Sequence, residues 1–431
     1  MKKINNIITY MFFLIIVSVY FLHYTVISRM LQWDLRLNIV SFIGYLLLIP
    51  FIWGLIHSEK NELIHLLKKN WILILYFIIR IASFYLGKIT VNVSTNKTIL
   101  LEFLYLVVIG HFCLKNITNI TFLFRFYIIL NLLLNLGTVF VYIGIPSGYF
   151  SKIPFFIQWV STVGNYGTYP FSALYVNPNI AGVATGIAII LACAVSKKRN
   201  ILFWIYFIFS LWFVHFQQCR SAQVALLACG IGYLIVRFTN MDGKQFAFFV
   251  LMASIVSTLG IGSFAIKNSS RKKPLEDMTK KEQMINNYST GRYLIWKYDV
   301  NVAKKNLLWG SGSLENSKNE RKEIINKEYP NPQLGMIRFK KYSTFDFHNG
   351  YFGTLFVVGI PCFILFIMIL FLKIKRLSND KWALGACFFL VVNLFECQFL
   401  IASPNYPVTA IMLMLILNPK IKKEEGIERK I

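Results

Sequence analysis

Three side chains, Arg220 in "QQCRSAQ", Arg292 in "STGRYLIWKYD" and His348 in "DFHNGYF", stand where apolar or amphipathic runs begin. A helix starting at such a point exposes free N–H groups, and acidic residues suit its first turn, whereas a cation opposes the helix dipole. A guanidinium beside free N–H groups is a site for phosphate. An imidazole is the side chain best suited to proton transfer near neutral pH. Plainer roles stand beside these. Arg220 can snorkel to lipid head groups, Arg292 can pair with Asp299 or reach a lipid surface, and His348 can be a satisfied interfacial histidine. Asn177 and Asn179 in "VNPNIAG" read first as helix caps and second as ligand contacts. Arg80 lies in the middle of "YFIIRIASF", where burial in lipid costs about 2.5–3.5 kcal/mol. It needs a polar cavity or a carboxylate, and Glu102 and Glu396 are the candidates.

The elements that must position these groups are read from composition. The 431 residues are 56% hydrophobic and 16% aromatic, with the apolar residues in long blocks. That is the composition of a membrane protein. Measured against the roughly 20 apolar residues of a span, the blocks fall at 4–27, 37–57, 71–90, 98–115, 122–145, 177–195, 200–216, 221–238, 245–266, 348–372, 381–400 and 404–418. The first follows "MKK" and reads as an uncleaved helix, because its apolar run is long and no small-x-small cleavage site follows. The fold expected is an all-α polytopic membrane protein of about 12 transmembrane helices. Residues 1–145 hold the N-terminal helices and 146–176 an aromatic outer loop. Helices six to nine follow in 177–266, a large extracytoplasmic loop in 267–347, the C-terminal helices in 348–418 and a cytoplasmic tail in 419–431.

Charge distribution orients this arrangement. The net charge is +26, which raises the question of nucleic acid. With the N-terminus inside, however, the short inner segments carry 21 Lys and Arg against six on the short outer loops. Such an asymmetry is the positive-inside signal, so the charge sets topology and nucleic-acid binding is not expected. Both termini fall in the cytoplasm. The loop 267–347, at 17 basic and nine acidic residues, is exempt from that rule and reads as attraction to anionic lipid or to an anionic ligand. Inside it, Ser289 or Thr290 can cap a helix running to about Lys305, with Leu294, Ile295, Tyr298 and Val302 as its apolar stripe, and "WGSGS" ends it. The seven cysteines lie in or beside spans with no CxxC pair, so neither a metal nor a cofactor is expected. The aromatics of 146–176 suit either sugar stacking or a membrane interface.

"NPNIAG", "CRSAQVAL", "STGRYLIWKYDVNVAKKNLLWGSGS" and "FHNGYF" together, in this order around one large outer loop, resemble the O-antigen ligase and polysaccharide polymerase family (Wzy/WaaL-like). The resemblance covers roughly residues 170–375. Two positions depart from it: Cys219 where serine often precedes the arginine, and Asn306 near a common proline. The resemblance implies a GT-C-like helical bundle in the bacterial cytoplasmic membrane. It implies a metal-independent transfer of glycan from undecaprenyl diphosphate to a sugar hydroxyl on the outer side. Arg220 and Arg292 would then hold the diphosphate and His348 would act at the acceptor hydroxyl. Arg80, Asn177, Asn179, Asn349 and Trp296 are the further candidates for substrate contact. Partners would be the lipid-linked glycan, membrane lipids, and a chain-length regulator and flippase of the same pathway.

Within that family the expected activity is polymerisation of lipid-linked repeat units into capsule or O-antigen, with ligation of finished polymer to lipid A-core as the alternative. A flippase or transporter would explain Arg80 and the number of spans. It leaves the basic outer loop and the arginines at helix starts unexplained, and the related halves common in transporters are not evident.

Overall fold

The computed structural model describes residues 70–87, 120–144, 177–196, 199–267, 279–289, 292–328, 347–377 and 379–399, with scattered positions between 13 and 103, at 173–175 and between 412 and 417. Eleven helices are described: α1 (Trp71–Leu86), α2 (Ile120–Gly144), α3 (Pro178–Val195), α4 (Ile201–Phe216), α5 (Arg220–Phe238), α6 (Gly243–Lys267), α7 (Lys280–Tyr288), α8 (Arg292–Asn306), α9 (Leu314–Glu328), α10 (Gly350–Lys375) and α11 (Asp380–Val392). No β-strand occurs among the described residues beyond an isolated Thr25–Tyr175 bridge.

Among the described residues, five helices are long and apolar enough to cross a membrane: Thr121–Ile143, Pro178–Val195, Arg220–Phe238, Gly243–Phe264 and Gly350–Lys375; α1 and α4 are shorter apolar helices. Leu133, Phe140, Ile205, Ile208, Leu227 and Leu234 point outward. A surface of that kind suits lipid as its solvent, and the described residues form an all-helical architecture consistent with a polytopic membrane protein. The expected spans 4–27, 37–57, 98–115 and 404–418, the aromatic loop and the C-terminal tail lie outside the described residues, apart from scattered positions.

α3 is the hub, packed by α2, α4, α5 and α11. Its small residues Ala181, Gly182, Ala184, Gly186 and Ala188 are all buried and let neighbouring backbones approach closely, as small residues do between membrane helices. α10 forms a second centre against α1, α6, α8 and α9. One expected span differs. The block 381–400 is helical only to Val392, about 20 Å of helix. Beyond it the chain folds into a turn held by Asn393, whose Oδ1 accepts from Gln398 N at 3.0 Å and Phe399 N at 2.9 Å.

The segment 267–347 contributes α7, α8 and α9. Thr279 and Glu282 form a reciprocal capping box at the start of α7, a pattern present in the sequence as "TKKE". The "WGSGS" turn does more than end α8. α10 is broken at Gly359 (φ 75°) two residues before Pro361. Proline lacks the N–H that would bond to the Val357 carbonyl. Gly312 N reaches that carbonyl at 3.0 Å, Ser311 N reaches Phe356 O at 2.8 Å, and Ile360 N bonds to Leu307 O at 3.1 Å. The turn thus supplies the backbone partners that the break removes. A Cβ on Gly310 (φ +76°) would lie 2.4 Å from Val357 O, and one on Gly359 would lie 2.3 Å from Leu308 O.

Candidate functional site

Arg292 opens α8 as its sequence position requires. Ser289 Oγ accepts from Tyr293 N at 3.0 Å, so this serine caps the helix. Leu294, Ile295, Tyr298 and Val302 are buried, but so are Tyr293, Trp296, Lys297 and Asp299, so α8 is enclosed on all sides and not along one stripe. The Arg292 guanidinium donates to Glu396 Oε1 at 2.7 Å, with 16% of the arginine side chain and 9% of the carboxylate exposed. Asp299, the partner weighed from sequence, is taken by Arg321 at 2.8 Å. The correction follows from helix geometry: Asp299 lies two turns further along α8 and faces α9 instead of the helix start.

His348 precedes α10 in a left-handed conformation (φ 51°), which is uncommon for a side chain larger than glycine and is found where surrounding structure over-determines it. Its Nδ1 lies 3.8 Å from Glu396 Oε2, with the imidazole 27% exposed. One carboxylate therefore stands between the arginine and the histidine. Ser221 Oγ, adjacent to Arg220, lies 3.4 Å from Glu396 Oε1.

The backbone around this carboxylate is tied to the start of α10. Gly350 N donates to Asn393 O at 2.7 Å, and Asn349 Nδ2 donates to Leu394 O at 3.1 Å. Asn349 also caps α10 through Phe352 N at 2.9 Å. A Cβ on Gly350 would lie 2.0 Å from Asn393 Oδ1, so the close approach needs glycine. Trp296 is buried and donates its indole N–H to Phe347 O at 2.9 Å, which fixes the His348 turn to α8. Arg321 lies 6.0 Å from the Phe347 ring. Burial pushes the Asp299 carboxyl up to about 6, although Arg321 pulls the other way, and Asp299 Oδ2 has no hydrogen-bond partner.

Arg220 opens α5 and is exposed. With Trp212, His215, Gln218 and Gln223 it lines an open cavity of about 450 Å³. Its neighbour Cys219 donates to Asn179 O at 3.3 Å, placing the starts of α3 and α5 side by side. Asn177 caps α3 by accepting from Ile180 N at 2.9 Å.

Arg80 has no open face. It pairs with Glu102 at 3.1 Å and donates to Gly312 O at 2.7 Å and Val357 O at 3.3 Å. Tyr76 completes the carboxylate at 2.9 Å. Of the two carboxylates considered for it, Glu102 is the partner, and the cluster braces the junction between the glycine turn and the α10 break. No group of three His, Cys, Asp or Glu side chains placed to hold a metal ion occurs among the described residues.

The residue that sequence reasoning undervalued is Glu396, weighed there only as a partner for Arg80. A signal existed: an acid at the end of an apolar run needs a cation, and Arg220 and Arg292 stood beside Arg80 as candidates.

No curated protein and no solved structure matches the chain. Residues 205–367 match a family model, Wzy_C, described as O-antigen ligase. The matched segment contains Arg220, Arg292 and His348, and Glu396 lies just beyond it. That match supports the resemblance of residues 205–367 to the O-antigen ligase (Wzy_C) family.

Proposed function

We propose that the protein is an extracytoplasmic glycosyltransferase that polymerises undecaprenyl-diphosphate-linked oligosaccharide units into capsular polysaccharide or O-antigen. The observation that carries this reading is the meeting of Arg292 and His348 on Glu396, inside and beside the family segment. In the proposed reaction an acceptor hydroxyl attacks the anomeric carbon, its proton passes to the His348 imidazole, and the C–O bond to the diphosphate breaks. Undecaprenyl diphosphate leaves with the bonding electron pair. Arg292, and Arg220 arriving from α5, offset the charge that builds on the leaving diphosphate; planar guanidiniums can do this bidentately. Glu396 stabilises the imidazolium formed in the same step.

In this reading the large loop lies outside the cytoplasmic membrane, both termini lie inside, and the full chain has about 12 spans. A chain-length regulator and a flippase would act beside it. The family's description as O-antigen ligase favours a second reading, ligation of finished polymer to lipid A-core.

The test is to delete the protein and examine lipid-linked glycans. Accumulated single repeat units support polymerisation, and accumulated long lipid-linked chains replace it with ligation. Units trapped on the cytosolic leaflet would discard both in favour of a flippase.

A further inference from the structure

The end of the bundle opposite Arg220 holds a feature for which glycosyl transfer has no use. α4 runs for 16 residues, about 24 Å. Arg199, just before it, and Arg220, just after it, are therefore separated by most of a hydrocarbon thickness. α11 starts at the Arg199 end with Asp380 and Lys381 and finishes near Glu396. Between α3, α4, α5 and α11, at the Arg199 end, lies a groove of about 320 Å³ walled by residues such as Ile190, Phe207, Leu226 and Leu384. Arg199 and Lys381 are the charged side chains among its described lining. Both are exposed. Neither has a carboxylate partner among the described residues, and the Arg199 guanidinium lies 5.9 Å from the Phe203 ring centroid. Gly230 borders the groove, and a Cβ there would meet nothing within 4 Å.

An apolar slot with two cations at its mouth complements one kind of amphiphile. Its head must be anionic to engage both cations, and its tail must be a chain that fits between helices. A zwitterionic lipid brings its own cation to the same place and gains less. Free phosphate satisfies the cations and leaves the slot unused. We infer that this groove binds an anionic phospholipid of the leaflet opposite the reaction centre, which is the cytoplasmic leaflet under the sidedness proposed above. The binding itself is independent of the proposed reaction, because it involves none of that site's residues.

The experiment uses the full-length protein purified in neutral detergent and titrated with dioleoylphosphatidylglycerol or dioleoylphosphatidylcholine, with bound lipid counted by native mass spectrometry. Each cation near a lipid head group contributes roughly fivefold, so Arg199→Gln with Lys381→Gln should weaken phosphatidylglycerol binding about 25-fold. Gly230→Leu leaves both cations in place and fills the slot, and should also remove the bound lipid. Lys375→Gln, a basic residue at the end of α10, should change nothing. Millimolar inorganic phosphate should not displace the lipid. The inference is overturned if phosphatidylcholine binds as tightly as phosphatidylglycerol, if Gly230→Leu retains the lipid, or if the double variant stays within twofold of the parent.

Discussion

Replacing Glu396 with glutamine keeps the side chain's shape and removes its charge, and the geometry fixes the direction of every consequence. The carboxylate lies 3.8 Å from His348 Nδ1. Between the effective dielectric of a protein surface and that of water, a unit charge pair at this distance is worth about 1–4 kcal/mol. In the proposed reaction the imidazolium exists only once the acceptor proton has moved, so the attraction acts on the transition state and not on the ground state. Its loss should lower kcat by about fivefold to 10³-fold. The same substitution releases Arg292 from its 2.7 Å ion pair, leaving the guanidinium freer to meet a diphosphate. KM for the lipid-linked donor should therefore stay level or fall. Steady-state rates on purified donor and acceptor, with enzyme checked by gel filtration, separate these effects. Glu396→Asp, which keeps the charge on a shorter arm, should recover part of the rate, and the pH–rate profile of the glutamine variant should differ from that of the parent. A glutamine variant with kcat within twofold of the parent would refute the reasoning. So would one whose donor KM rises tenfold at unchanged kcat, since Glu396 would then be serving donor binding alone.

Other expectations concern the scaffold. Arg80→Met strands a buried carboxylate at Glu102 and should cost about 3–5 kcal/mol, seen as a lowered thermal midpoint in detergent, while Arg80→Met with Glu102→Leu should recover much of that loss. Gly359→Ala places a Cβ 2.3 Å from a backbone oxygen at φ +75°. No side-chain movement relieves that contact, so the folded yield on gel filtration should fall sharply, by more than the roughly 1 kcal/mol of an ordinary Gly→Ala change in an unsuited backbone. Trp296→Phe removes the hydrogen bond that holds the His348 turn and should cost about 1 kcal/mol of stability, with kcat falling more than donor KM changes. Burial pushes the Glu282 carboxyl up, but the Thr279 amide and hydroxyl and the Lys297 ammonium outweigh it and hold the group at about 2, against an ordinary 4.5. Its contribution to stability is therefore complete above pH 4.5 and lost as pH falls toward 2, and Glu282→Gln should flatten that acid limb of a melting-temperature profile.

Local features were legible and long-range pairings were not. "STGRYLIWKYD" announces a capped helix with a cation in its first turn, and the structure has that helix, because a cap is a property of neighbouring residues. The partner of Arg292 lies 104 residues away, on a turn whose shape depends on Asn393 bonding to Gly350, and no spacing in the sequence encodes that. The block 381–400 misled for a related reason. Its composition is apolar throughout, and hydropathy registers burial without registering that the last turn unwinds around a buried asparagine. Arg80 illustrates a middle case: its need for a carboxylate followed from the cost of burying a lone charge, while the choice of Glu102 over Glu396 is visible only in the three-dimensional packing.

The exchange of backbone bonds between the glycine turn and α10 bears on the proposed reaction. Arg292 and the turn are joined by one short helix, and His348 and the break are joined by the first part of another. Because Ser311, Gly312 and Ile360 bond across the two, α8 cannot slide along α10 without leaving buried backbone groups unsatisfied, each costing about 1–3 kcal/mol. Arg292 and His348 are held at a set separation, and the backbone just before Glu396 is fixed by the bonds from Asn349 to Leu394 O and from Gly350 to Asn393 O. For the proposed reaction this amounts to preorganisation in the electrostatic sense: the charges would face each other without reorganising at the moment of reaction. Arg220 is outside this arrangement, exposed, and preceded by Gln218 at φ 49°. In the proposed reaction, then, adjustment to the bulky donor falls to the start of α5, while the proton-transfer geometry between α8 and α10 stays fixed.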